Sequence, residues 1–332
     1  MKPTIKDVAR EAGVSIKTVS RVLNRERYVG AVTRARVEAT VATLNFRPSA
    51  AARSMGGRRS FQIGLACDNP SPHYVYEMQS GIRDRCQADG VRMLAQPYDR
   101  ASDRLLEDIG ELVDAARVDG LILTPPVTDF GPVLDMLIER GLRFVRVSPG
   151  TQRDLTASVF IDNYAAALAM TRHLTTLGHR RIGFVQGHSS YAASAQRYDG
   201  YLAGLGEVGV APDSALVVGG SFDFGSGAAA ADTLLSLDRP PSAIFAANDD
   251  MAAGVLAVAH RRGIPVPTQL SVAGFGDDTL AGYVWPPLTT IRQPTRQLGF
   301  EAADLLLAPE PSAERRELAF DLIVRASTGP SQ

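Results

Sequence analysis

The segment TIKDVAREAGVSIKTVSRVLN, residues Thr4–Asn24, has the clearest structural pattern in the chain. Its first half has an apolar stripe with the i, i+3, i+4, i+7 spacing of one helix face, formed by Ile5, Val8, Ala9 and Ala12. Thr4 followed by Asp7 is typical of a capped helix start, and Gly13 predicts the helix end. A second helix, capped by Ser15, has an apolar face formed by Ile16, Val19, Val22 and Leu23. A third helix is predicted from Thr33, with Val37, Val41 and Leu44 facing inward. Short helices separated by a glycine turn predict a helix-turn-helix headpiece.

The second helix has side chains that could read DNA. Ile16 and Lys17 lie near its N-terminal end, and Arg21 follows one turn later. Lys and Arg can donate to guanine O6 and N7 in the major groove, and an apolar side chain can contact a thymine methyl group. Short polar side chains suited to phosphate oxygens are Thr4, Ser15, Thr18, Ser20, Asn24 and Thr33. Each could instead be a helix cap or a solvated residue, but their clustering favours DNA binding.

The charge distribution separates this basic segment from the rest of the chain. Residues 1–60 contain 13 Lys and Arg and 4 Asp and Glu, a net charge of +9, whereas the remainder has a net charge of −10. A basic segment on an acidic body is typical of a chain that contacts a polyanion. The length of 332 residues is enough for two or three domains. Because 45% of the residues are apolar, the chain can bury a sizeable core, which excludes disorder of the whole chain.

From Phe61 onward, short β-rich runs alternate with helical stretches in two successive series. Strands are predicted at Gln62–Cys67, Arg92–Gln96, Leu121–Thr124, Phe144–Val147, Ile182–Gln186, Ala215–Val218, Ala243–Ala246 and Ser271–Gly274. Helices are predicted around Val75–Gln87, Leu105–Ala116, Val133–Arg140, Ala165–Leu177, Arg197–Leu205, Ser226–Leu237 and Met251–Arg261. Repeated βα units imply parallel sheets covered by helices, so we expect an α/β body of two doubly wound subdomains.

Polar residues that follow these strands are the candidates for a ligand site, because open α/β sheets bind ligands beyond the carboxyl ends of their strands. Phe222 is an aromatic residue after a strand, and Arg197 follows a long loop. The full set of candidates is Asp68, Ser148, Arg197, Phe222, Asn248 and Asp277. Carboxylates, an amide and a guanidinium can bind vicinal hydroxyls, and an aromatic face can cover a sugar ring. Capping of the next helix is the alternative, above all for Asp249 and Asp278.

Two linked motifs, TIKDVAREAGVSIKTVSRVLN and LNFRPSAAARSM, resemble the headpiece and hinge of the lactose-repressor (LacI/GalR) family of bacterial transcription regulators. The resemblance extends over the whole chain and implies an all-α headpiece followed by a periplasmic-binding-protein-like module. It implies a headpiece at 1–46, a hinge helix and linker at 47–59, and an effector-binding and dimerisation domain at 60–332. The implied subdomains of that domain are about 60–161 plus 292–321 and about 162–291 plus 322–332. Three crossovers would join them near Ile161–Asn163, Thr289–Gln293 and Asp321–Ile323.

The resemblance also implies roles for individual residues. Bases are read from the positions of Ile16, Lys17 and Arg21, while Arg53 and Met55 belong to a hinge that enters the minor groove. A helix as short as the hinge is marginal in water, so we expect it to order only on DNA. Met55 stands where Leu is common, and Ser49 stands where Asn is common. The effector contacts match Asp68, Arg197, Phe222, Asn248 and the GFGDD segment. Gly276 replaces an Asp of many relatives, which leaves open whether Asp277 takes its role.

The function implied by the resemblance is that of a homodimeric repressor that binds near-palindromic double-stranded operator DNA under the control of a small-molecule effector. A sugar is the expected effector class. The alternatives are a purine or other metabolite, or a sugar-binding protein without a DNA role. Whether the effector releases or strengthens DNA binding stays open.

Several other classes are not expected. The N-terminus lacks the features of a secretory signal and no apolar run has membrane-spanning length, so we expect a cytoplasmic protein without membrane contact. Gly204–Gly209 matches GxGxxG, but it follows a helical stretch instead of a strand, so it does not predict a dinucleotide site. Neither the two cysteines nor the five histidines have metal-ligand spacing. We therefore expect no enzyme activity, no cofactor and no metal.

Overall fold

The computed structural model describes residues 3–23, 28–46, 60–98 and 102–332. The DNA-contact candidates Asn24, Arg53 and Met55 lie outside these ranges, as does the expected hinge helix. The chain divides into two compact units, one formed by the residues up to Gln62 with Arg117–Asp119, the other by Ile63–Ala116 with Gly120–Gln332. No helix in the described part is both long and apolar enough to cross a membrane.

The headpiece contains three helices, α1 (Ile5–Ala12), α2 (Ile16–Leu23) and α3 (Ala31–Thr43). The predicted start of α1 is confirmed, since the backbone N–H and the hydroxyl of Thr4 both donate to Asp7 Oδ2, at 2.9 and 2.7 Å. Gly13 ends α1 in the left-handed region, at φ 62°, where a residue with a Cβ is disfavoured. The predicted start of α3 at Thr33 is two residues late, because the extended backbone of Gly30 precedes the first turn.

The headpiece core consists of small and β-branched residues from all three helices, with Phe46 added after the end of α3. Its buried members are Val8, Ala9, Ala12, Val19, Val22, Val37 and Phe46. Val41 and Leu44 pack partly buried against this cluster. The apolar spacing of the sequence therefore places the right faces inward, which leaves the polar face of α2 outside.

The first subdomain of the body is built on a six-stranded sheet. Its strands are β1 (Gln62–Cys67), β2 (Arg92–Pro97), β3 (Leu121–Leu123), β4 (Phe144–Val147), β5 (Ser158–Phe160) and, from near the C-terminus, β11 (Arg315–Glu317). The strand order is β2-β1-β3-β4-β5-β11, with β1–β3, β3–β4, β4–β5 and β5–β11 parallel. Its helices are α4 (Pro72–Asp89), α5 (Leu105–Ala116), α6 (Gly131–Glu139) and α12 (Thr295–Leu307). Ile63, Leu65 and Val145 belong to the buried core of this layer.

The second subdomain repeats the arrangement. Its strands are β6 (Ile182–Gln186), β7 (Val217–Gly219), β8 (Ala243–Ala246), β9 (Ser271–Gly276), β10 (Thr289–Arg292) and β12 (Asp321–Ile323). The order is β7-β6-β8-β9-β10-β12, parallel except for β10–β12. Its helices are α7 (Asn163–Thr176), α8 (Ala192–Gly206), α9 (Phe224–Leu234), α10 (Asp249–Arg261) and the short α11 (Thr279–Tyr283). Two doubly wound α/β subdomains, as predicted, are therefore present.

The chain passes between the two sheets three times, at residues 161–162, 293–294 and 318–320. Two of the expected crossovers, Thr289–Gln293 and Asp321–Ile323, coincide largely with strands β10 and β12 of the second sheet. The expected subdomain limits near residues 292 and 321 consequently fall on those strands. Strands of three or four residues give too short an alternation to be recognised in the sequence.

Some predicted boundaries are wrong at their N-terminal ends. The predicted helix Arg197–Leu205 begins five residues earlier, because the Ala-rich segment after the extended Tyr191 is already helical. The predicted strand Ala215–Val218 is a 3₁₀ turn, Ser214–Leu216, followed by β7. Asp213 caps this turn by accepting a hydrogen bond from the Ala215 N–H at 3.0 Å. Local capping therefore outweighs the apolar character of the segment.

The close packing of α9 on α10 generates a stability prediction. A Cβ on Gly254 would overlap the carbonyl oxygen of Phe224 and the backbone nitrogen of Ala228. Because backbone cannot move aside as a side chain can, Gly254→Ala should lower the free energy of unfolding of the body by about 1–3 kcal/mol. Gly206→Ala, at the open end of α8, is the matched control and should be neutral or slightly stabilising. Urea denaturation followed by circular dichroism measures both, and equal midpoints would refute the packing argument.

Candidate functional sites: the headpiece groove and the inter-subdomain cavity

The exposed side of the headpiece brings several DNA-contact candidates together. Ser15, Thr18, Arg21 and Thr33 line one shallow groove of about 370 Å³, together with Val14, Tyr28, Val29, Gly30 and Arg36. The hydroxyls of Ser15 and Thr18 are hydrogen-bonded at 2.9 Å, and Ser15 Oγ also accepts the Thr18 N–H. Ser15 is thus the predicted cap of α2, with its oxygen still at the surface.

Other candidates lie beside this groove. Ile16 and Lys17 are exposed on the first turn of α2, Ile16 with 46% of its surface open, which is high for an apolar side chain. Ser20 is half-buried on the same helix, while the hydroxyl of Thr4 is engaged by Asp7. Sequence reasoning missed Tyr28, which is 91% exposed in the groove. The available indication in the sequence was an aromatic residue between the second and third helices of a basic segment.

A cavity of about 80 Å³ lies between the two subdomains, beyond the carboxyl ends of their strands. Four of the six predicted ligand residues line it, namely Ser148, Arg197, Phe222 and Asn248. The other lining residues are Asn69, Ser71, Tyr74, Pro125, Asn163, Tyr191, Ala193, Phe275, Gly276, Asp278, Gln293 and Thr295. Asp68 precedes the lining residue Asn69 in the sequence and does not itself line the cavity. Its backbone carbonyl accepts a hydrogen bond from the Tyr191 hydroxyl at 2.9 Å.

Arg197 lies buried in the second turn of α8, instead of at the predicted helix start. Its Nε donates to Asn163 Oδ1 at 2.9 Å, Nη1 to the Ala247 carbonyl at 2.6 Å and Nη2 to Gln293 Oε1 at 3.3 Å. Its guanidinium also covers the ring of Phe275, 3.5 Å from the ring centre. Burial lowers the pKa of Arg197 to about 9. Among the described residues, three of its five N–H groups thus have protein acceptors, so it both builds and lines the cavity.

Asn248 and Phe222 form a connected wall of the cavity. Asn248 Oδ1 caps α10 by accepting the Met251 N–H at 3.0 Å, and its Nδ2 donates to the Phe222 carbonyl at 2.8 Å. The Phe222 ring packs edge-on against Tyr191, with 5.1 Å between ring centres. A Cβ on Gly187 would overlap that ring, so a larger residue there would displace Phe222. Asn248 therefore caps a helix, the role that was the alternative for Asp249 and Asp278, whereas the Asp278 side chain makes no capping hydrogen bond.

Asp277 is the candidate that the structure turns away from the cavity. Its carboxylate accepts hydrogen bonds from Arg292 Nε at 2.7 Å and from Arg325 Nη2 at 2.5 Å. The next residue, Asp278, lines the cavity instead, and its Oδ2 accepts the Ser71 hydroxyl at 2.9 Å from the other subdomain. The reason is the backbone turn, because Gly276 and Asp277 both have positive φ, 139° and 56°. The acidic residue expected at Asp277 is thus supplied one position later.

Asp249, directly behind this turn, is completely buried. Its Oδ1 accepts the Thr290 hydroxyl at 2.6 Å and its Oδ2 accepts the Asp278 N–H at 2.8 Å. Burial, together with the nearby carboxylate of Asp278, raises the pKa of Asp249 to about 7. Burial likewise raises the pKa of Asp278 and Asp250. Asp249 therefore holds the backbone turn that places Asp278 in the cavity. Separately, the described residues include no cluster of side chains placed to hold a metal ion.

The two subdomains touch on either side of the cavity. Ser71 and Asp278 meet on one side, while on the other Gly150 packs so closely on Ala192 that a Cβ on Gly150 would overlap the Ala192 Cβ. The two subdomains are therefore in direct contact beside a narrow cavity.

Comparison with known proteins gives concordant results for both units. Residues 4–49 match the model of bacterial regulatory proteins of the lacI family, and residues 171–328 match the periplasmic binding protein-like domain. The chain is 32% identical to the HTH-type transcriptional repressor PurR of Photobacterium profundum, covering 98% of each chain. It is 32% identical to the ribose operon repressor of Haemophilus influenzae, covering 92% of this chain and 91% of that one.

Solved structures are similar over the same span. The lac repressor dimer bound to operator and the anti-inducer ONPF has a TM-score of 0.81 at 28% identity, covering 99% of this chain and 100% of that one. A complex of the transcriptional regulator CelR with cellobiose has a TM-score of 0.75 at 30% identity, covering 98% of this chain and 99% of that one. The similarity thus includes the headpiece, the body and the order in which they occur.

The Gly150–Ala192 contact generates a prediction about closure. Gly150→Ala should hold the subdomains apart, because the new Cβ has no space against Ala192. Spin labels at the exposed Glu111 and Gln269, one on each subdomain, should therefore report a longer distance by electron paramagnetic resonance. Gly131→Ala, where a Cβ meets nothing within 4 Å, is the control and should leave the distance unchanged. The same distance in both variants would show that this contact does not limit closure.

Proposed function

This chain belongs to the lacI family of bacterial regulatory proteins, and from that premise we propose that a small molecule bound between its two subdomains controls how a homodimer of the chain binds operator DNA. The family membership makes the chain a DNA-binding transcriptional repressor. A dimer is proposed because one helix-turn-helix reads only half a site, whereas a two-fold protein reads a near-palindrome.

The observation that carries the proposal is the small cavity whose walls come from both subdomains. Ligand pockets usually measure about 300–1,000 Å³, so a cavity of about 80 Å³ must widen to admit an effector. Widening has to alter contacts such as Ser71–Asp278 and Gly150–Ala192, which bridge the subdomains. A ligand with different affinities for the two separations then shifts the population between them.

The cavity chemistry favours a hydroxyl-rich effector, and we propose a sugar. The carboxylate of Asp278 and the amide of Asn69 can accept or donate to hydroxyls, and Arg197 has N–H groups left for a ligand. Phe222 and Tyr74 supply aromatic walls that can cover a ring. Asp68, Ser148 and Asn248 complete the proposed set. A purine is the second candidate, because relatives over the full chain are named PurR and the same aromatic walls can stack on a base.

In the headpiece, we propose that α2 reads bases through Ile16, Lys17 and Arg21. Short polar residues position it on phosphates, namely Thr4, Ser15, Thr18, Ser20, Asn24 and Thr33. Arg53 and Met55 are proposed to contact the minor groove. The support from the described residues is the exposure of Ile16 and Lys17 and the shared groove of Ser15, Thr18, Arg21 and Thr33.

The assignment of base reading predicts a difference between two neighbouring variants. Arg21→Ala should relax sequence preference at one operator position, at a cost of about 1–3 kcal/mol, because a base contact discriminates between sequences. Ser20→Ala should weaken binding to all sequences alike, because a phosphate contact does not discriminate. Selection from a random DNA pool measures both, and an unchanged preference in Arg21→Ala would show that this residue does not read bases.

The effector assignment predicts opposite results for two adjacent acidic residues. Asp278→Asn should weaken effector binding by about 10- to 100-fold, because hydrogen bonds to a charged group contribute about 1.5–3 kcal/mol. Asp277→Asn is the matched control and should bind the effector within about twofold of the parent, since Asp277 pairs with Arg292 and Arg325 outside the cavity. A thermal-shift screen of sugars and nucleobases identifies the effector, and calorimetry then compares the variants. A loss in Asp277→Asn alone would contradict the assignment.

A further inference from the structure

A second cavity of about 470 Å³ adjoins the first and shares two of its lining residues, Ser148 and Asn163. Its other lining residues are Pro149, Arg153, Phe160, Ile161, Asp162, Tyr164, Gln196, Arg315 and Glu317. It lies beside the first crossover, residues 161–162, and receives side chains from both subdomains. We call it the outer cavity. Unlike the smaller inner cavity, it has the volume of an ordinary ligand pocket.

Residues 148–153 form one wall of the outer cavity, and hydrogen bonds from the buried Arg146 hold this segment in place. Arg146 is completely buried, and its Nε and Nη1 donate to the carbonyls of Thr128 and Gln152 at 2.7 and 2.8 Å. Its Nη2 donates to Asp129 Oδ1 at 2.7 Å, and Asp129 also accepts the Gly150 N–H. A buried guanidinium with this many acceptors fixes the loop that connects the two cavities.

The charges on the outer cavity balance. Arg153 and Arg315 oppose Asp162 and Glu317. Arg315 is further occupied by Asp154, at 3.4 Å, and by the ring of Phe160, 5.1 Å from the ring centre. An anionic ligand would find no excess positive charge here. A neutral group with several hydroxyls would find both donors and acceptors.

Two side chains of the outer cavity are placed to hold such a group. Tyr164, on the first turn of α7, is 41% exposed and offers an aromatic face. Gln196, on α8, has an amide to which no described residue is hydrogen-bonded. An aromatic face with an amide beside it is a common arrangement for a pyranose ring.

We propose that the outer cavity is a second subsite for the effector, and that the effector is a disaccharide whose second ring lies against Tyr164 and Gln196. The inner cavity then holds the first ring, and the shared Ser148 and Asn163 mark the point at which the ligand passes from one to the other. This inference rests on the proposed control by a sugar.

The test is calorimetry on the full chain with glucose, galactose, glucose 6-phosphate, adenine, guanine and the disaccharides cellobiose, maltose, lactose and sucrose. One disaccharide should bind at least about tenfold more tightly than its constituent monosaccharides. Tyr164→Ala and Gln196→Ala should remove most of that advantage, whereas Tyr164→Phe should retain it. Tyr283→Ala, at an 81% exposed position that lines neither cavity, is the control for a surface aromatic residue.

Equal affinities for disaccharides and monosaccharides would overturn the second subsite while leaving a sugar effector in place. Tighter binding of glucose 6-phosphate would overturn the argument from charge balance. Binding of a nucleobase alone would overturn the inference but preserve control by a ligand. A chain that binds operator identically with every compound present would overturn the proposed function and this inference together.

Discussion

The buried guanidinium of Arg197 is the interaction on which the geometry of the body depends. It hydrogen-bonds to Asn163, just after the first crossover, and to Gln293, in the second, while Ala247 ties it to the end of β8. A buried charge without acceptors is strongly unfavourable, so these partners have to remain in place whenever the second subdomain is folded. The crossovers, the ends of the strands and the floor of the cavity are therefore fixed together.

Around that fixed point, the polar contacts between the subdomains in the described residues are local. Ser71 and His73 meet Asp278 and Thr279, and Tyr191 meets the backbone of Asp68. Gly150 also meets Ala192. Contacts confined to short segments can be exchanged when the separation changes, which is what a ligand-controlled repressor requires. We propose that the separation determines how well a dimer places its two headpieces on one operator.

The sequence predicts the secondary structure of the body best where burial is complete. Gln62–Cys67, Phe144–Val147, Ile182–Gln186 and Ala243–Ala246 were predicted with the observed bounds, since strands covered on both faces are continuous apolar runs. Helix starts were less accurate, because the first turns of α7, α8 and α10 contain polar or small residues without an apolar stripe. Short strands such as β5 and β12 were not predicted, because three residues are too few to show a strand pattern in the sequence.

Side-chain direction at the site was harder to predict than the position of the site. The rule that ligands bind beyond the carboxyl ends of strands correctly indicated Ser148, Phe222 and Asn248 as cavity residues. It could not distinguish Asp277 from Asp278, because two consecutive positive φ angles decide which carboxylate faces inward. Nor could it show that Arg197 uses three N–H groups on the protein itself.

The central claim is that the cavity and the headpieces are thermodynamically coupled, and reciprocity tests it directly. Operator affinity of the full chain is measured by fluorescence anisotropy with and without saturating effector, on an operator selected by the protein itself. Effector affinity is measured with and without saturating operator. Coupling requires both ratios to be equal and to differ from one, typically by about 5- to 150-fold. An operator affinity that is the same with and without a bound effector would contradict the claim.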